Sequence, residues 1–245
     1  MAEDAPLGLL LTAAINGEIR SLDIIDELNR RFNAMLGAYV NHPSAFRDLL
    51  DSTESVISGS FVARFLEGDT NWRESNMDCC VDAVTAHRIR DHLVNEGYEE
   101  DTRVQNGPIY DGADATIQRV LPMFSRTKSR HIHIVVSTKK TSLYPIADFW
   151  ATHLANFLSG NALCVAYPQT LKKVGLVVPG KVDEWRLPII EGKYRHRGYK
   201  FLPLEDRMRG ATRHFGDPEC IVIPVQRGGR LFCGGQVANT VIWKL

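Results

Sequence analysis

The residues best suited to chemistry stand in one stretch. Gly59-Ser60 follows the short apolar run Val56-Ile57-Ser58 and precedes Phe61, Val62, Phe65 and Leu66 at helical spacing. A strand that hands Gly-Ser to a helix N-terminus suits a phosphate, because glycine permits close backbone approach and the first-turn N–H groups lack intrahelical partners. The Ser60 hydroxyl adds a further donor. The same dipeptide serves equally as a plain strand-to-helix turn, so its meaning rests on what lies beside it. Asp78 comes next, a carboxylate inside the apolar strand Met77 to Val81, with Asn76 two residues before it on the same face.

That order, strand, Gly-Ser turn, helix and carboxylate strand, resembles the nucleotidyltransferase fold of the DNA polymerase beta-like superfamily. The resemblance implies a Gly-Ser turn facing a nucleoside triphosphate and an Asp-x-Asp strand holding metal ions with a third carboxylate. The matching positions here are Asn76, Asp78 and His133, so two of the three anionic ligands are absent. Asparagine offers a neutral carbonyl oxygen, and imidazole suits transition metals better than Mg²⁺. Mg²⁺ held by Asp78 and substrate phosphates is the cofactor the resemblance allows, and no other is implied. A longer likeness, over roughly residues 55 to 235, joins Val56–Val81, His131–Ser137 with Phe149, Asn156 and Tyr167-Pro168, and Tyr194–Tyr199 to uncharacterised proteins numerous in mushroom-forming fungi. The chain departs from that group at Asn76, where an Asp is usual, and at Cys79-Cys80.

Other constellations carry competing readings. His131 and His133 share one face of an apolar strand and, with Asp78, make a His/Asp site for Zn²⁺ or Mn²⁺ or else a pair satisfied by polar neighbours. Asp82 either supplies a second metal oxygen or caps the following helix, and the capping reading is preferred. His214, Cys220 and Cys233 fit no standard zinc spacing and read as a loop histidine and free thiols. Lys193-Tyr194-Arg195-His196-Arg197-Gly198-Tyr199-Lys200 interleaves cations with rings, as a phosphate-and-base surface would, although a solvated strand or loop face explains it more simply.

Composition narrows the setting. Lys+Arg and Asp+Glu both number 29 in 245 residues, so no global field attracts a polyanion or an anionic membrane. Charge is uneven, with four basic and nine acidic residues in 1–60 against eleven and seven in 181–230, which puts an anionic ligand nearer the C-terminal third. Five cysteines without regular spacing make no disulfide framework. No apolar run approaches the roughly 18 residues of a membrane span. A cytosolic or nuclear location without a membrane partner is expected.

These residues need elements to hold them. Apolar spacing predicts helices over Ser21–Tyr39 and from Pro43 to about Asp51, a strand at Val56–Ser58, a helix at Ser60–Glu67 stopped by Gly68, and a strand at Met77–Val81. A helix over Ala83–Glu96 closed by Gly97 follows. Gly107, Pro108 and Gly112 mark a loop, Thr116–Leu121 a strand stopped by Pro122, and His131–Ser137 a central strand. Phe149–Leu158 reads as helical and Leu163–Tyr167 as a strand. The expected fold is α/β (α+β), a small mixed twisted sheet with N-terminal helices in 1–52, a nucleotidyltransferase-like core in 53–170 and an irregular extension in 171–245. The leading expectation is a non-catalytic nucleotide-binding or interaction module. An active nucleotidyltransferase, with Ser60 on phosphate and Asp78 on metal, and a pure scaffold are the alternatives.

Overall fold

In the computed structural model, residues 5–68, 70–103, 115–203, 212–228 and 242–244 are described. Three helices come first: α1 (Leu7–Ile15), α2 (Ser21–Gly37) and α3 (Pro43–Ser52). Pro43 opens α3 where a missing N–H loses nothing. The chain then forms β1 (Val56–Ser58), α4 (Ser60–Glu67), β2 (Asn76–Val81), α5 (Ala86–Asn95), β3 (Glu99–Glu100), β4 (Ile117–Ser125) and β5 (Arg130–Ser137). Next come α6 (Tyr144–Ala147), β6 (Phe157–Leu158), β7 (Ala162–Val165), β8 (Val174–Leu176), α7 (Leu187–Arg195), β9 (Lys200–Leu202), β10 (Thr212–His214), β11 (Ile221–Pro224) and β12 (Ile242–Lys244).

The fold is mixed α/β around an open eight-stranded sheet of order β11-β7-β6-β1-β2-β5-β4-β3. The strands read from sequence at Val56–Ser58, Met77–Val81 and His131–Ser137 lie side by side, with β1 antiparallel to β2 and β2 parallel to β5. The sheet is larger than the small one expected, because β11 from the C-terminal extension pairs with β7. Two short pairs, β8 with β9 and β10 with β12, lie outside it. Among the described residues no helix is long and apolar enough to cross a membrane.

Alternation along β2 splits the core in two. Met77, Cys79 and Val81 face α1 to α5 with Ile57, Ile132, Ile134, Phe61 and Phe65, whereas Cys80 faces Val56, Val135, Phe157 and Phe215. The adjacent cysteines thus point oppositely, as a strand requires. A third cluster joins Ala63 of α4 to Leu154, Tyr194 and Tyr199, with Trp72, Phe149, Trp150 and Phe201 against it.

Four expectations need correction. Helix α5 begins at Ala86 instead of Ala83: residues 83–85 form a turn in which the Asp82 carboxylate accepts from the Val84 and Thr85 N–H groups (2.6 and 2.8 Å), and the N-cap is Thr85, with no side-chain cap bond. Pro122 does not stop β4, which runs on to Ser125. Its carbonyl accepts the Asp101 N–H (2.8 Å), so its amide position also points away from β5 and the ladder loses no bond. Phe149–Leu158 is not a helix: Thr152–Leu154 makes one 3₁₀ turn and Phe157–Leu158 is β6. Lys193–Lys200 is the end of α7 and its turn into β9 and not one strand or loop; Lys193, Arg195, His196 and Lys200 are exposed as on a solvated face, while Tyr194 and Tyr199 are buried. The loop expected at Gly107–Gly112 lies outside the described residues.

Candidate functional site

The candidate site lies where β1 ends and β2 and β5 begin. In the ladder Ser58 stands opposite Asp78 and Asp78 opposite His133, so Asn76, Asp78 and His133 project from one face. Ser58 is buried there, its hydroxyl donating to the Asn156 carbonyl (2.6 Å), which ties β1 to the chain before β7. Above it Gly59 turns the chain with φ 71° and ψ −142°, a conformation open in practice to glycine alone. A Cβ at Gly59 would come 2.7 Å from Asp78 Oδ2 and 3.7 Å from the Phe149 ring. The glycine is therefore set by the carboxylate that packs on it as well as by the turn.

Three polar side chains close on one another. Asn76 Nδ2 donates to Asp78 Oδ1, and it lies 3.2 Å from His133 Nδ1. His133 Nδ1 is also 3.2 Å from Asp78 Oδ1, with the two side chains 28% and 23% exposed, so solvent and ions reach the pair. The Ser75 hydroxyl donates to Asn76 Oδ1 (2.8 Å) and holds the amide with its NH₂ towards the carboxylate. Where the resemblance leads one to expect an anionic ligand, this chain presents a hydrogen-bond donor.

Helix α4 begins at Ser60, with no side-chain cap on its first turn. The Ser60 side chain is buried beside the Tyr194 phenol of α7. Burial pushes that phenol up to about 12, against the Arg197 charge. With the hydroxyl buried, the backbone N–H groups at the start of α4 are the donors the turn offers a ligand. Lys193, one residue before Tyr194, has an exposed side chain near enough to the site for the Asp78 carboxylate to act on it. Partial desolvation and then Arg197 pull its ammonium below the ordinary lysine range, and the Asp78 carboxylate acts against both. The Arg197 guanidinium stacks 3.9 Å from the Trp72 ring centre, a packing role that turns it from the carboxylate.

The structure thus brings together Gly59, Ser60, Asn76, Asp78 and His133, all named from sequence. His131 shares the face of His133 but turns to Asp101, 3.3 Å away. Phe61 and Arg64 leave the site open: Phe61 packs against Tyr39 and Arg64 pairs with Glu74. Lys193 and Tyr194 were not placed at the site by sequence reasoning. Their signal, cations interleaved with rings, was visible, but nothing local showed that α7 packs on α4. Among the described residues no group of three or more His, Cys, Asp or Glu is arranged to hold a metal. His214 bonds locally and Cys233 lies outside the described residues, so the zinc spacing gains no support. No family model, curated protein or solved structure matches the chain.

Proposed function

We propose that this chain is a nucleotidyltransferase-like module that binds a nucleotide through its phosphates without transferring the nucleotidyl group. The observation that carries the reading is the Asn76 amide, held by Ser75 and donating to Asp78. A two-metal clamp needs anionic oxygens on both sides of the ions, and here one of those positions is a donor that already occupies an Asp78 lone pair. The residues do not fit a metal pair. They fit a single Mg²⁺ that the nucleotide's own phosphates mostly surround, with Asp78 as its one carboxylate.

Binding is supported by the turn itself. The first N–H groups of α4 have no side-chain cap and no partner within their helix, as a phosphate site needs, and Lys193 supplies a nearby cation. Asp78 alone would repel the ligand, so a positive charge has to stand between carboxylate and phosphate, either Lys193 or Mg²⁺. A cytosolic or nuclear setting accords with this reading.

Calorimetry with nucleoside triphosphates, with and without Mg²⁺, should show binding that weakens with salt, since charge pairing at an open site is screened. Labelled triphosphate offered with RNA, protein or small hydroxyl acceptors should not be incorporated. Mg²⁺-dependent incorporation that vanishes in Asp78→Ala would make the chain an active nucleotidyltransferase. Absence of binding by any nucleotide would leave it a scaffold.

A further inference from the structure

Far from the Gly-Ser turn, a second group of side chains is arranged for thiol chemistry. Cys164 lies on β7 opposite Val222 of β11, and Cys220, two residues before Val222, falls on the same face of the ladder. Both thiols join one apolar cluster, with Cys164 fully buried and Cys220 partly open to solvent. Cys220 ends a tight turn in which its N–H bonds the Asp217 carbonyl (2.9 Å). The Arg213 guanidinium reaches its sulfur at 3.6 Å while gripping Asp217 and the Ala166 carbonyl.

We propose that Cys220 is a reactive thiol that accepts a low-molecular-weight disulfide such as oxidised glutathione, and that Cys164 is its resolving partner. The surroundings of Cys79, Cys80 and Cys220 differ in the required sense. Burial pushes Cys79 up to about 12 and Cys80 well above the usual thiol range, with the Asp78 charge adding to both. At Cys220 a hydrogen bond from Cys164, followed by one from the Gly216 backbone, outweighs burial and the Asp217 charge, and the thiol is drawn below its ordinary range. The thiolate is the attacking species.

The chemistry balances without further reagents. The Cys220 thiolate attacks one sulfur of the glutathione disulfide, forming a mixed disulfide and releasing one glutathione thiolate. Cys164 then attacks the Cys220 sulfur of the mixed disulfide and its proton leaves with the second glutathione as that thiol departs, leaving a Cys164–Cys220 disulfide. Two protein thiols are oxidised and one glutathione disulfide is reduced to two thiols. Diagonal neighbours across a ladder stand roughly 7–8 Å apart at Cα, and a disulfide spans up to about 7 Å. The 217–220 turn therefore has to close by only about an ångström.

Peptide mapping of the intact native chain, and of one variant with a single cysteine replaced, tests this. A limiting pulse of iodoacetamide should label Cys220 at least tenfold faster than Cys79 or Cys80. Incubation with oxidised glutathione should yield a linked Cys164–Cys220 peptide, and in Cys164→Ser the glutathione should instead remain on Cys220. Equal labelling of Cys220 and the two β2 cysteines would overturn the proposal. So would a linked peptide joining Cys220 to Cys233, or glutathione that stays on Cys220 while Cys164 is present.

Discussion

At the scale of single residues, the contact between Gly59 and Asp78 can be measured. Gly59→Ala puts a Cβ into a glycine-only conformation and against Asp78 Oδ2, at a cost of about 1–3 kcal/mol for a strained backbone position. Asp78→Ala removes the obstructing oxygens but leaves φ positive. The double variant should therefore lose less than the sum of the singles, and a urea-denaturation cycle that adds perfectly would mean the two residues do not touch. Asn76→Asp probes the other side of the carboxylate. It sets two like charges in contact, so the variant should be less stable than the parent without metal and gain more from Mg²⁺. A site filled at about 100 times its Kd adds roughly 2.7 kcal/mol, which thermal denaturation with and without Mg²⁺ would register. An identical response in parent and variant would show that Asn76 is not what keeps the metal pair out. These site residues were legible because each sits in a short run where strand alternation fixes its face. Lys193 was not, since its approach to Asp78 depends on packing between elements far apart in the chain.

Among elements, the segment from Phe149 to Leu158 shows what periodicity misses. Its apolar residues are spaced like a helix, yet Trp150 and Leu154 enter the third cluster, Phe157 the Cys80 side of the sheet and Leu158 the opposite side. No helix can distribute consecutive residues to opposite faces in this way, whereas a strand does so by construction. His153, within this segment, is fully buried among Trp150, Tyr194, Tyr199 and Phe201, and neither ring nitrogen has a partner. Burial, with Arg197 nearby, drives its pKa down to about 3. An unpartnered buried polar group costs about 1–3 kcal/mol, so His153→Leu should stabilise the chain at neutral pH by an amount of that order. The sign with pH follows from linkage. The unfolded imidazole binds a proton near 6.5 and the folded one does not until about 3. Stability should consequently fall by about 1.4 kcal/mol per pH unit below roughly 6.5. His153→Leu should flatten that slope between pH 6.5 and 5, and an unchanged slope in urea titrations would place the acid sensitivity elsewhere.

For the whole molecule, the C-terminal residues proved more integral than their Pro- and Gly-rich sequence suggested. Short elements were legible from the punctuation, but the pairing of β11 with β7 is a non-local contact that no local pattern encodes. Arg47 is one of the side chains that hold this arrangement to the N-terminal helices, beside the Arg227–Asp26 and Asn161–Asp51 contacts. Arg47 of α3 donates from Nε to the Gly160 carbonyl (2.7 Å) and from Nη1 to Asn29 (2.6 Å) and Asn33 (3.0 Å) of α2. Its Nη2 reaches Gln226 (3.2 Å) just beyond β11, and the guanidinium lies 5.0 Å over the Phe32 ring. Burial pulls its pKa below the ordinary arginine range, which measures the cost that these bonds offset. Arg47→Met keeps most of the apolar stem but leaves the Gly160 carbonyl and the Asn29, Asn33 and Gln226 amides without their donor. Loss of one partner from a buried charged network costs about 3–5 kcal/mol. Arg47→Lys retains the charge without the planar fork and should recover only part of that loss. Urea denaturation gives the magnitudes, and hydrogen exchange at residues 159–162 and 225–226 should rise together with α2 and α3 if one clamp serves all of them. Faster exchange confined to α3 would show instead that the C-terminal strand is held by its ladder to β7 alone.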